Sequence, residues 1–521
     1  MIKVLVADKT SEEGLKILRD KNYQVDSKTG LPEDELIAII PEYDAMIVRS
    51  ATRVTAPIIE NASKLKVVGR AGVGVDNIDI PAATKKGIIV MNAPSGNTIS
   101  AAEHTVAMIT AVSRNIPQAY MALKTKTWYK KQYMGSEIYG RTLGVIGFGK
   151  IGGHVAKVMS GFGMKVVIYD PFLSADAVKN TDFTIVDSLE ELLKQADYVT
   201  PHIPKQKEYV IGAKEIAMMK AGAYLINVAR GGVVDEAALY EALKSGKLKG
   251  AALDVFENEP KKEGTPFDTP LAELDNVIVT PHLGASTVDA QEKVAVDIAN
   301  QFVDYFENNL IKNAVNIPTP DPNSGPFLPL AEQLGSFASQ ICEGNVNKVD
   351  INYYGPIANF DTKILKLATL KGMLSRYAES VNYVNASLMT EERNITVTES
   401  KSEKAENFVN LINVQIDGTQ ISGTLFDGNK ARIVAINDFE LDISPAHHHV
   451  MVEHDDVPGV VGKVGSIMGD NKINIEGMSV GKTGTAKSAM MVLSIDKALP
   501  ANVAAEMTNV AEIRKVKSIS L

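Results

Sequence analysis

The stretch Leu143-Gly-Val-Ile-Gly147-Phe-Gly149-Lys-Ile-Gly152 carries three glycines in the spacing G-x-G-x-x-G. It includes the end of an apolar run and is followed by a helical pattern. Glycines at this spacing allow a tight turn and let backbone N–H groups at a helix N-terminus approach a pyrophosphate. The stretch predicts the strand–turn–helix unit of a dinucleotide-binding α/β domain, and a glycine-rich turn without a ligand is the simpler alternative.

The sequence that follows favours the dinucleotide. The apolar run Lys165–Tyr169 leads directly to Asp170, 18 residues after Gly152. An acidic side chain there accepts hydrogen bonds from ribose hydroxyls and would repel a 2′-phosphate. The pattern therefore predicts NAD as the cofactor, bound by Gly147, Gly149, Lys150, Ile151, Gly152 and Asp170.

Alternating strand and helix patterns surround this motif. They run from the N-terminus to about residue 98, restart at Thr142 and continue to Ala285, which indicates two α/β units, each with a parallel sheet. Ser100 and Glu103 predict a capping box that opens a helix running to about Asn115. A long amphipathic helix is expected from about residue 287 to residue 308.

The C-terminal third has a different organisation. Four prolines in residues 316–326 predict an interdomain linker, because proline continues neither a helix nor a central strand. Residues 327–446 have helical patterns first and β-rich sequence afterwards, as in an α+β domain. Residues 447–521 follow the order βαββαβ, the ferredoxin-like split pattern.

Length and composition exclude several classes of protein. The 521 residues are too many for a single core, and 45% hydrophobic residues exclude a disordered chain. A net charge of −9 argues against general binding to nucleic acid or membranes. The single cysteine, Cys342, excludes an intrachain disulfide and a cysteine-rich metal site. We expect a cytoplasmic protein without a signal peptide, a spanning helix or a metal site.

Three ionisable residues follow apolar runs within the second α/β unit. Arg230 follows Ile226-Asn-Val-Ala, Glu259 lies shortly after Leu253-Asp-Val-Phe, and His282 follows Val277-Ile-Val-Thr-Pro. Each alone could be a surface charge, a turn residue or a structural histidine. Because ligands bind beyond the carboxyl ends of parallel strands, the three are expected to converge at the cofactor.

Alcohol oxidation requires this set of groups. A hydride is transferred to the nicotinamide while a base takes the hydroxyl proton. Histidine suits the role of that base near neutral pH. A carboxylate beside it stabilises the imidazolium and selects its tautomer. An arginine holds a substrate carboxylate with two hydrogen bonds. The hypothesis is that His282 is the acid–base, Glu259 its partner and Arg230 the clamp.

Several motifs together resemble the D-isomer-specific 2-hydroxyacid dehydrogenases, and the resemblance covers the whole chain. They are Val48-Arg-Ser-Ala-Thr, Val68-Gly-Arg-Ala-Gly-Val-Gly-Val-Asp-Asn, Asn97-Thr-Ile-Ser-Ala-Ala-Glu-His-Thr, Val228-Ala-Arg-Gly-Gly, Ala251-Ala-Leu-Asp-Val-Phe and Pro281-His-Leu-Gly-Ala-Ser-Thr. The family's catalytic Arg, Glu and His fall on Arg230, Glu259 and His282. The resemblance implies a substrate domain of residues 1–98 and 285–316, an NAD domain of 99–284, an intervening regulatory domain of 317–446 and a C-terminal domain of 447–521.

The long form of the family implies oxidation of D-3-phosphoglycerate, the first step of L-serine synthesis, by an enzyme that is commonly a tetramer. The implied substrate contacts are Arg49, Arg70, Gly72, Val73, Gly74 and Lys130, the last reaching a neighbouring subunit's site. Lys130 is equally explained as part of a solvated face. The further implied NAD contacts are His202, Pro204, Ala229, Asp254 and Gly284, whereas His104 is interpreted as packing and His154 as facing solvent.

The last segment, residues 447–521, resembles an ACT domain, a small amino-acid-binding module. Asp456 and Asn474 match positions that bind serine in relatives, so L-serine is an expected effector, and a purely dimerising domain is the alternative. Lys430 and Arg432 are weak candidates for anion binding. Two other functions stay open: a glyoxylate or hydroxypyruvate reductase, and an NAD-sensing binding protein without activity.

Overall fold

Short strands form the first sheet, and Lys3–Val6 pairs parallel with Gln24–Ser27 and with Ala45–Val48. The computed structural model describes residues 1–260, 264–308, 310–319, 321–378, 380–405, 407–482 and 488–521. The five strands lie in the order β2-β1-β3-β4-β5: β1 Lys3–Val6, β2 Gln24–Ser27, β3 Ala45–Val48, β4 Val67–Arg70 and β5 Ile89–Asn92. The connecting helices are α1 Glu12–Asp20, α2 Glu33–Ile39, α3 Ala56–Asn61 and α4 Ile80–Lys86. Strand β3 is buried along its whole length, as expected for a sheet covered on both faces.

A second, seven-stranded sheet has the order β12-β11-β10-β9-β6-β7-β8, and its strand pairings are parallel. Its strands are β6 Thr142–Ile146, β7 Lys165–Tyr169, β8 Thr184–Ile185, β9 Tyr198–Pro201, β10 Ala223–Asn227, β11 Leu248–Leu253 and β12 Val277–Val279. The helices of this region are α5 Thr98–Arg114, α6 Ile116–Lys124, α7 Lys150–Gly161, α8 Leu189–Gln195, α9 Ala213–Met218, α10 Glu236–Lys244 and α11 Val288–Asn308. The chain order changes direction between β6 and β9, where ligands of such sheets bind.

The predicted capping box at Ser100 is wrong. The helix α5 begins two residues earlier, at Thr98, and its N-terminal flanking residue is Asn97. The Ser100 hydroxyl lies 2.8 Å from the Thr287 hydroxyl, so it makes a contact outside its own helix. A tertiary hydrogen bond has replaced the local one that the pattern suggested.

The long helix α11 packs against α1, with Gly14 at the crossing. A Cβ on Gly14 would lie 2.6 Å from the backbone carbon of Ala295, so only glycine lets the two helices approach this closely. A Cβ on Gly69 of β4 would lie 2.6 Å from the Ile298 side chain. The helix that follows the seven-stranded sheet is thus packed on elements of the first sheet. The four predicted domain boundaries themselves stay predictions.

A mixed sheet follows in the order β14-β13-β15-β16-β17-β18, with helices α12 Leu328–Ile341, α13 Lys363–Leu374 and α14 Ala386–Glu392. Its strands are β13 Lys348–Tyr354, β14 Thr396–Ser402, β15 Leu411–Ile416, β16 Thr419–Phe426, β17 Lys430–Ile436 and β18 Phe439–Ile443. The expectation of helices before strands is wrong at β13, which lies between α12 and α13. Its alternating buried residues Val349, Ile351 and Tyr353 were the missed signal.

The C-terminal sheet confirms the βαββαβ order. Strands β19 His448–Asp455, β20 Ile475–Lys482, β21 Ser488–Ile495 and β22 Ile513–Ser520 pair antiparallel in the order β20-β21-β19-β22. Helices α15 Val460–Asp470 and α16 Ala501–Thr508 contribute Val464, Met468, Val503 and Met507 to one core with this sheet.

The chain divides into two compact units. The first contains residues 1–53, 69–77 and 91–311, and the second contains residues 54–68, 78–90 and 312–521. Pro320 of the expected linker lies outside the described residues. No helix in the described part of the chain is long and apolar enough to span a membrane.

Candidate active site

The glycine-rich turn joins β6 to the N-terminus of α7. Gly147 has a φ of 88°, a left-handed conformation that disfavours side chains, and Gly149 is the residue before the helix. A Cβ on Gly152 would lie 2.2 Å from the carbonyl oxygen of Gly147. The turn is therefore tight, and the free N–H groups and positive dipole end of α7 face the space where a pyrophosphate would bind.

Asp170 follows β7 and holds the same turn. Its Oδ2 accepts a hydrogen bond from the Phe148 N–H at 2.8 Å, and its Oδ1 accepts one from the Phe172 N–H at 2.9 Å. Each carboxylate oxygen can accept a further bond, so two ribose hydroxyls can be accommodated. The half-buried negative charge fits NAD and opposes a 2′-phosphate.

Other expected cofactor contacts lie around this turn. The Lys150 ammonium donates to the Ser95 hydroxyl, Ile151 is half-buried and Pro204 is exposed. Removal of His202 from water lowers the pKa of its imidazole to about 4, so the ring is neutral at neutral pH. His202 Nε2 lies 3.2 Å from the Thr200 hydroxyl. A neutral ring is suited to line a cofactor without adding charge.

His282 and Glu259 form a pair beyond the carboxyl ends of β12 and β11. The Nδ1 atom of His282 lies 2.8 Å from Oε2 of Glu259. His282 has a φ of 56°, uncommon for a residue with a side chain, and its N–H donates to the carbonyl of Asp254 at 2.8 Å. The imidazole is thus held in one orientation, with Nε2 left for a ligand.

Glu259 is kept ionised by its surroundings. Burial alone would raise the pKa of this carboxyl, but the hydrogen bond and charge of His282 and a 3.0 Å bond from the Phe256 N–H outweigh it. The pKa consequently lies below its ordinary value of 4.5. An anionic Glu259 beside His282 is the arrangement that stabilises an imidazolium.

Arg230 follows β10 and lies over the backbone of the loop after β4. Its Nη1 donates to the carbonyl of Ala229 at 2.7 Å, and its Nε lies 3.6 Å from Oδ2 of Asp76. A Cβ on Gly74 would lie 2.3 Å from Nη2 of Arg230. The strand order β12-β11-β10 places Arg230, Glu259 and His282 after three neighbouring parallel strands, at one edge of the sheet.

Arg70, at the end of β4, is a cation largely removed from water. Burial, followed by the positive charges of Arg230 and Arg49, lowers the pKa of its guanidinium to about 10. Within the described residues its Nε has no hydrogen-bond partner. Gly72 has a φ of 155°, which residues with a side chain rarely adopt, and a Cβ there would lie 1.5 Å from Nη1 of Arg70. Neighbouring cations that lower the pKa of Arg70 favour an anionic ligand beside it.

The remaining expected substrate contacts differ in position. Arg49 is half-buried and its Nη1 donates to the carbonyl of Lys9 at 3.1 Å. The carbonyl of Val73 accepts a 2.6 Å bond from Asn92, which fixes the loop between Gly72 and Gly74. Lys130 is exposed on the segment after α6, and its role stays a prediction.

Sequence reasoning missed the part played by His104. A packing role alone does not describe it, because its Nε2 lies 3.2 Å from Oδ1 of Asp254 and 3.2 Å from the Thr280 hydroxyl. Asp254 has no exposed side-chain surface, and its Oδ2 accepts the Gly284 N–H at 2.8 Å. Contact of Asp254 or Gly284 with the cofactor stays a prediction. His154, expected to face solvent, is half-buried.

In the C-terminal region, the expected serine contacts have protein partners. The Asp456 carboxylate pairs with the Lys482 ammonium at 2.8 Å, and the N–H of exposed Asn474 donates to Asp496 at 2.9 Å. Lys430 pairs with Asp427 at 2.8 Å, and Arg432 lies 3.2 Å from Asp442. Anion binding at Lys430 and Arg432 stays a prediction.

Comparison with known proteins agrees with these features. Residues 106–284 match the model of the D-isomer specific 2-hydroxyacid dehydrogenase NAD binding domain, residues 323–437 that of the D-3-phosphoglycerate dehydrogenase intervening domain, and residues 448–512 that of the ACT domain. The D-3-phosphoglycerate dehydrogenase of Synechocystis sp. is 44% identical over 100% of this chain and 95% of its own length. That of Archaeoglobus fulgidus is 43% identical, over 97% and 98% of the two chains.

Solved structures show the same architecture for about three fifths of this chain. D-Lactate dehydrogenase from Aquifex aeolicus, solved with NAD and lactic acid, superposes with a TM-score of 0.53 at 32% identity, covering 61% of this chain and all of that one. Fold and site together define an NAD-dependent oxidoreductase of the 2-hydroxyacid class. Within that class, the chain belongs to the D-3-phosphoglycerate dehydrogenase family.

Proposed function

We propose that the chain oxidises D-3-phosphoglycerate to 3-phosphohydroxypyruvate, the first step of L-serine synthesis. The observation that carries this proposal is the His282–Glu259 pair at 2.8 Å, on the same sheet edge as Arg230, whose charge acts on Arg70. An acid–base pair and a group of guanidiniums suit a substrate with one hydroxyl between two anionic groups. The names of the most similar relatives support the same substrate.

The chemical step divides between His282 and Arg230. NAD held by the glycine-rich turn and Asp170 would supply the acceptor for the hydride from C2 of the substrate. Nε2 of His282 takes the hydroxyl proton as the C2–O bond becomes a carbonyl, and Glu259 stabilises the imidazolium that results. Arg230 holds the substrate carboxylate with its planar fork, which fixes the orientation of C2.

The phosphate end of the substrate is assigned to Arg49 and Arg70. The partly desolvated guanidinium of Arg70 makes a charge-assisted hydrogen bond stronger than it would be in water. Gly72 leaves room for that guanidinium beside the loop backbone. Lys130 of a neighbouring subunit would add a third cation in an oligomer.

Replacing Arg49 with alanine is expected to raise KM for D-3-phosphoglycerate by about 10–100-fold, the effect of one charge-assisted hydrogen bond of about 1.5–3 kcal/mol. D-Glycerate lacks the phosphate and should lose little. Steady-state kinetics with both substrates makes the comparison, and Arg53→Ala, at an exposed arginine four positions along the chain, is the matched control. An equal rise in KM for both substrates would indicate that Arg49 binds the substrate carboxylate or has a structural role.

Self-association is supported by a group of exposed apolar side chains between residues 116 and 139. Their exposed fractions run from 51% at Tyr129 to 77% at Trp128, and such groups on a protein surface commonly mark an interface. Lys130 lies within the same segment. We assign this segment to a subunit contact of a homo-oligomer, a tetramer by family resemblance, and sedimentation of the protein showing a monomer would contradict it.

The ACT domain supports an amino-acid effector, which we assign as L-serine. The ammonium group of the bound serine would replace that of Lys482 at the carboxylate of Asp456. Calorimetry on the full chain should detect binding of L-serine but not D-serine, and Asp456→Asn should abolish it, because the charge opposite the ammonium is lost. Absence of binding at millimolar L-serine would leave the domain a role in assembly only.

A further inference from the structure

His104 lies on α5, far in sequence from the catalytic pair, and reaches the loop that carries His282. Its Nε2 is 3.2 Å from Oδ1 of Asp254 and 3.2 Å from Oγ1 of Thr280. The Thr280 hydroxyl is itself 2.6 Å from Oδ1 of Asp254. Only a fifth of the His104 side chain is exposed, and the Asp254 side chain is not exposed at all. The three polar groups therefore meet at a site that is largely shielded from solvent.

The ionisation of Asp254 determines which atom of this group carries each hydrogen. Burial alone would raise the pKa of the Asp254 carboxyl, but hydrogen bonds from His104, Thr280 and the N–H groups of Leu283 and Gly284 outweigh it. The pKa lies below its ordinary value, so the carboxylate is an acceptor only.

The hydrogen of Thr280 must consequently point at Asp254, which leaves both neighbours of His104 Nε2 as acceptors. An unprotonated Nε2 of His104 would place its lone pair against the lone pairs of the Asp254 and Thr280 oxygens. The stable arrangement has a hydrogen on Nε2 that is donated to Asp254 and shared with the lone pair of Thr280. His104 is thus a fixed donor to a buried anion.

The carboxylate that His104 contacts organises the loop between β12 and α11. Oδ1 of Asp254 accepts the Leu283 N–H at 2.7 Å and Oδ2 accepts the Gly284 N–H at 2.8 Å. The backbone carbonyl of Asp254 accepts the His282 N–H at 2.8 Å. These three bonds hold the residues around His282, whose left-handed φ of 56° persists only if its surroundings enforce it.

We propose that His104 is a positioning residue for the reaction: through Asp254 it fixes the loop that aims His282 at the substrate hydroxyl. This inference rests on the proposed role of His282. A residue that merely fills space would act through its volume. The proposed role instead depends on the Nε2–H donor, so a side chain of similar size without that donor should fail, and one that restores the donor should succeed.

The test compares His104→Leu with His104→Gln in the full chain. Leucine fills the site without a donor, whereas the glutamine amide donates from a nitrogen at similar reach. His104→Leu is expected to lower kcat about 10²-fold, the usual cost of a misplacement near 1 Å, while KM for D-3-phosphoglycerate changes less than about threefold. His104→Gln should recover most of kcat. His154→Leu, at a half-buried helical histidine on α7, is the matched control and should retain kcat.

The pH dependence of kcat gives a second readout, which a purely structural role would not move. The limb that reports the acid–base should shift in His104→Leu and return in His104→Gln. Thr280→Val keeps His104 and removes another hydrogen bond to the same oxygen of Asp254, so it should shift the pH profile in the same way but by less. This variant tests the inference even if His104→Leu does not fold.

Three outcomes would overturn the inference: unchanged kcat in His104→Leu, equal losses in His104→Leu and His104→Gln, or an unmoved pH profile in all three variants. Failure of the inference can be told from failure of the proposed function by the His282→Ala variant. If His282→Ala is inactive while His104→Leu is fully active, only the inference fails. If His282→Ala is active, the proposed role of His282 is wrong, and the inference about His104, which rests on it, fails with it.

Discussion

Replacing His282 with alanine is expected to lower kcat for D-3-phosphoglycerate by about 10²–10⁴-fold, the usual contribution of positioned proton transfer. The variant has no group that can take the hydroxyl proton as hydride leaves. KM and NAD affinity should change little, because the ring adds little to ground-state binding. Stopped-flow measurement of nicotinamide reduction separates the chemical step from product release. A variant with kcat within a few-fold of the unaltered enzyme would contradict the role of His282.

Glu259→Gln is the control for the pair, because it keeps the shape of the side chain and removes the charge. It should lower kcat less than His282→Ala does. The pH–rate profile should change, since the side chain 2.8 Å from the imidazole no longer carries a negative charge. An unmoved profile would show that the pair does not act in catalysis.

The lowered pKa of Glu259 also affects stability. A carboxyl whose pKa is lower in the folded chain than in the unfolded chain stabilises the folded chain at any pH above its unfolded pKa of 4.5. This contribution is lost as the pH falls through the lower pKa of the folded chain. Because its pKa in the folded chain lies below 4.5, Glu259 is ionised at neutral pH.

Replacing Arg230 with lysine is expected to lower kcat/KM by about 10²-fold or more. Lysine keeps the positive charge but loses the planar fork, so one of two charge-assisted hydrogen bonds of about 1.5–3 kcal/mol and the orientation of C2 are both lost. Because orientation acts in the transition state, part of the loss should fall on kcat. Steady-state kinetics with D-3-phosphoglycerate and NAD gives both constants.

The matched control is Arg141→Lys, an exposed arginine just before β6 and thus at the amino end of a strand, away from the edge that holds the site. It should leave both constants unchanged. If Arg230→Lys also retains kcat/KM within a few-fold, a point charge is sufficient and Arg230 is not a bidentate clamp.

Much of the site was predictable because it follows from the order of strands along the chain. Parallel strands with buried apolar runs end at one edge of their sheet, so Arg230, Glu259 and His282, each following such a run, are expected at that edge from the sequence alone. The glycine-rich turn and Asp170 are also local signals, since their spacing reflects the lengths of one strand, one turn and one helix.

The contacts that sequence reasoning missed join distant residues or override a local rule. His104 and Asp254 are separated by 150 positions, and no periodicity relates them. Ser100 has the spacing of a helix cap, yet its hydroxyl contacts Thr287, because tertiary contacts can outweigh a local hydrogen bond. The pairing of Asp456 with Lys482 depends on how β20 runs beside the turn after β19, which local sequence does not encode.

The most direct test of the account is nicotinamide reduction by the unaltered enzyme with D-3-phosphoglycerate, compared with D-glycerate and with NADP in place of NAD. The cationic group around Arg70 predicts a kcat/KM for D-3-phosphoglycerate at least about 10²-fold above that for D-glycerate, from one or more charge-assisted bonds to the phosphate. The charge of Asp170 predicts a strong preference for NAD over NADP. Equal rates with D-glycerate would contradict the proposed substrate, equal use of NADP would contradict the role of Asp170, and no reduction with either substrate would contradict the proposed reaction.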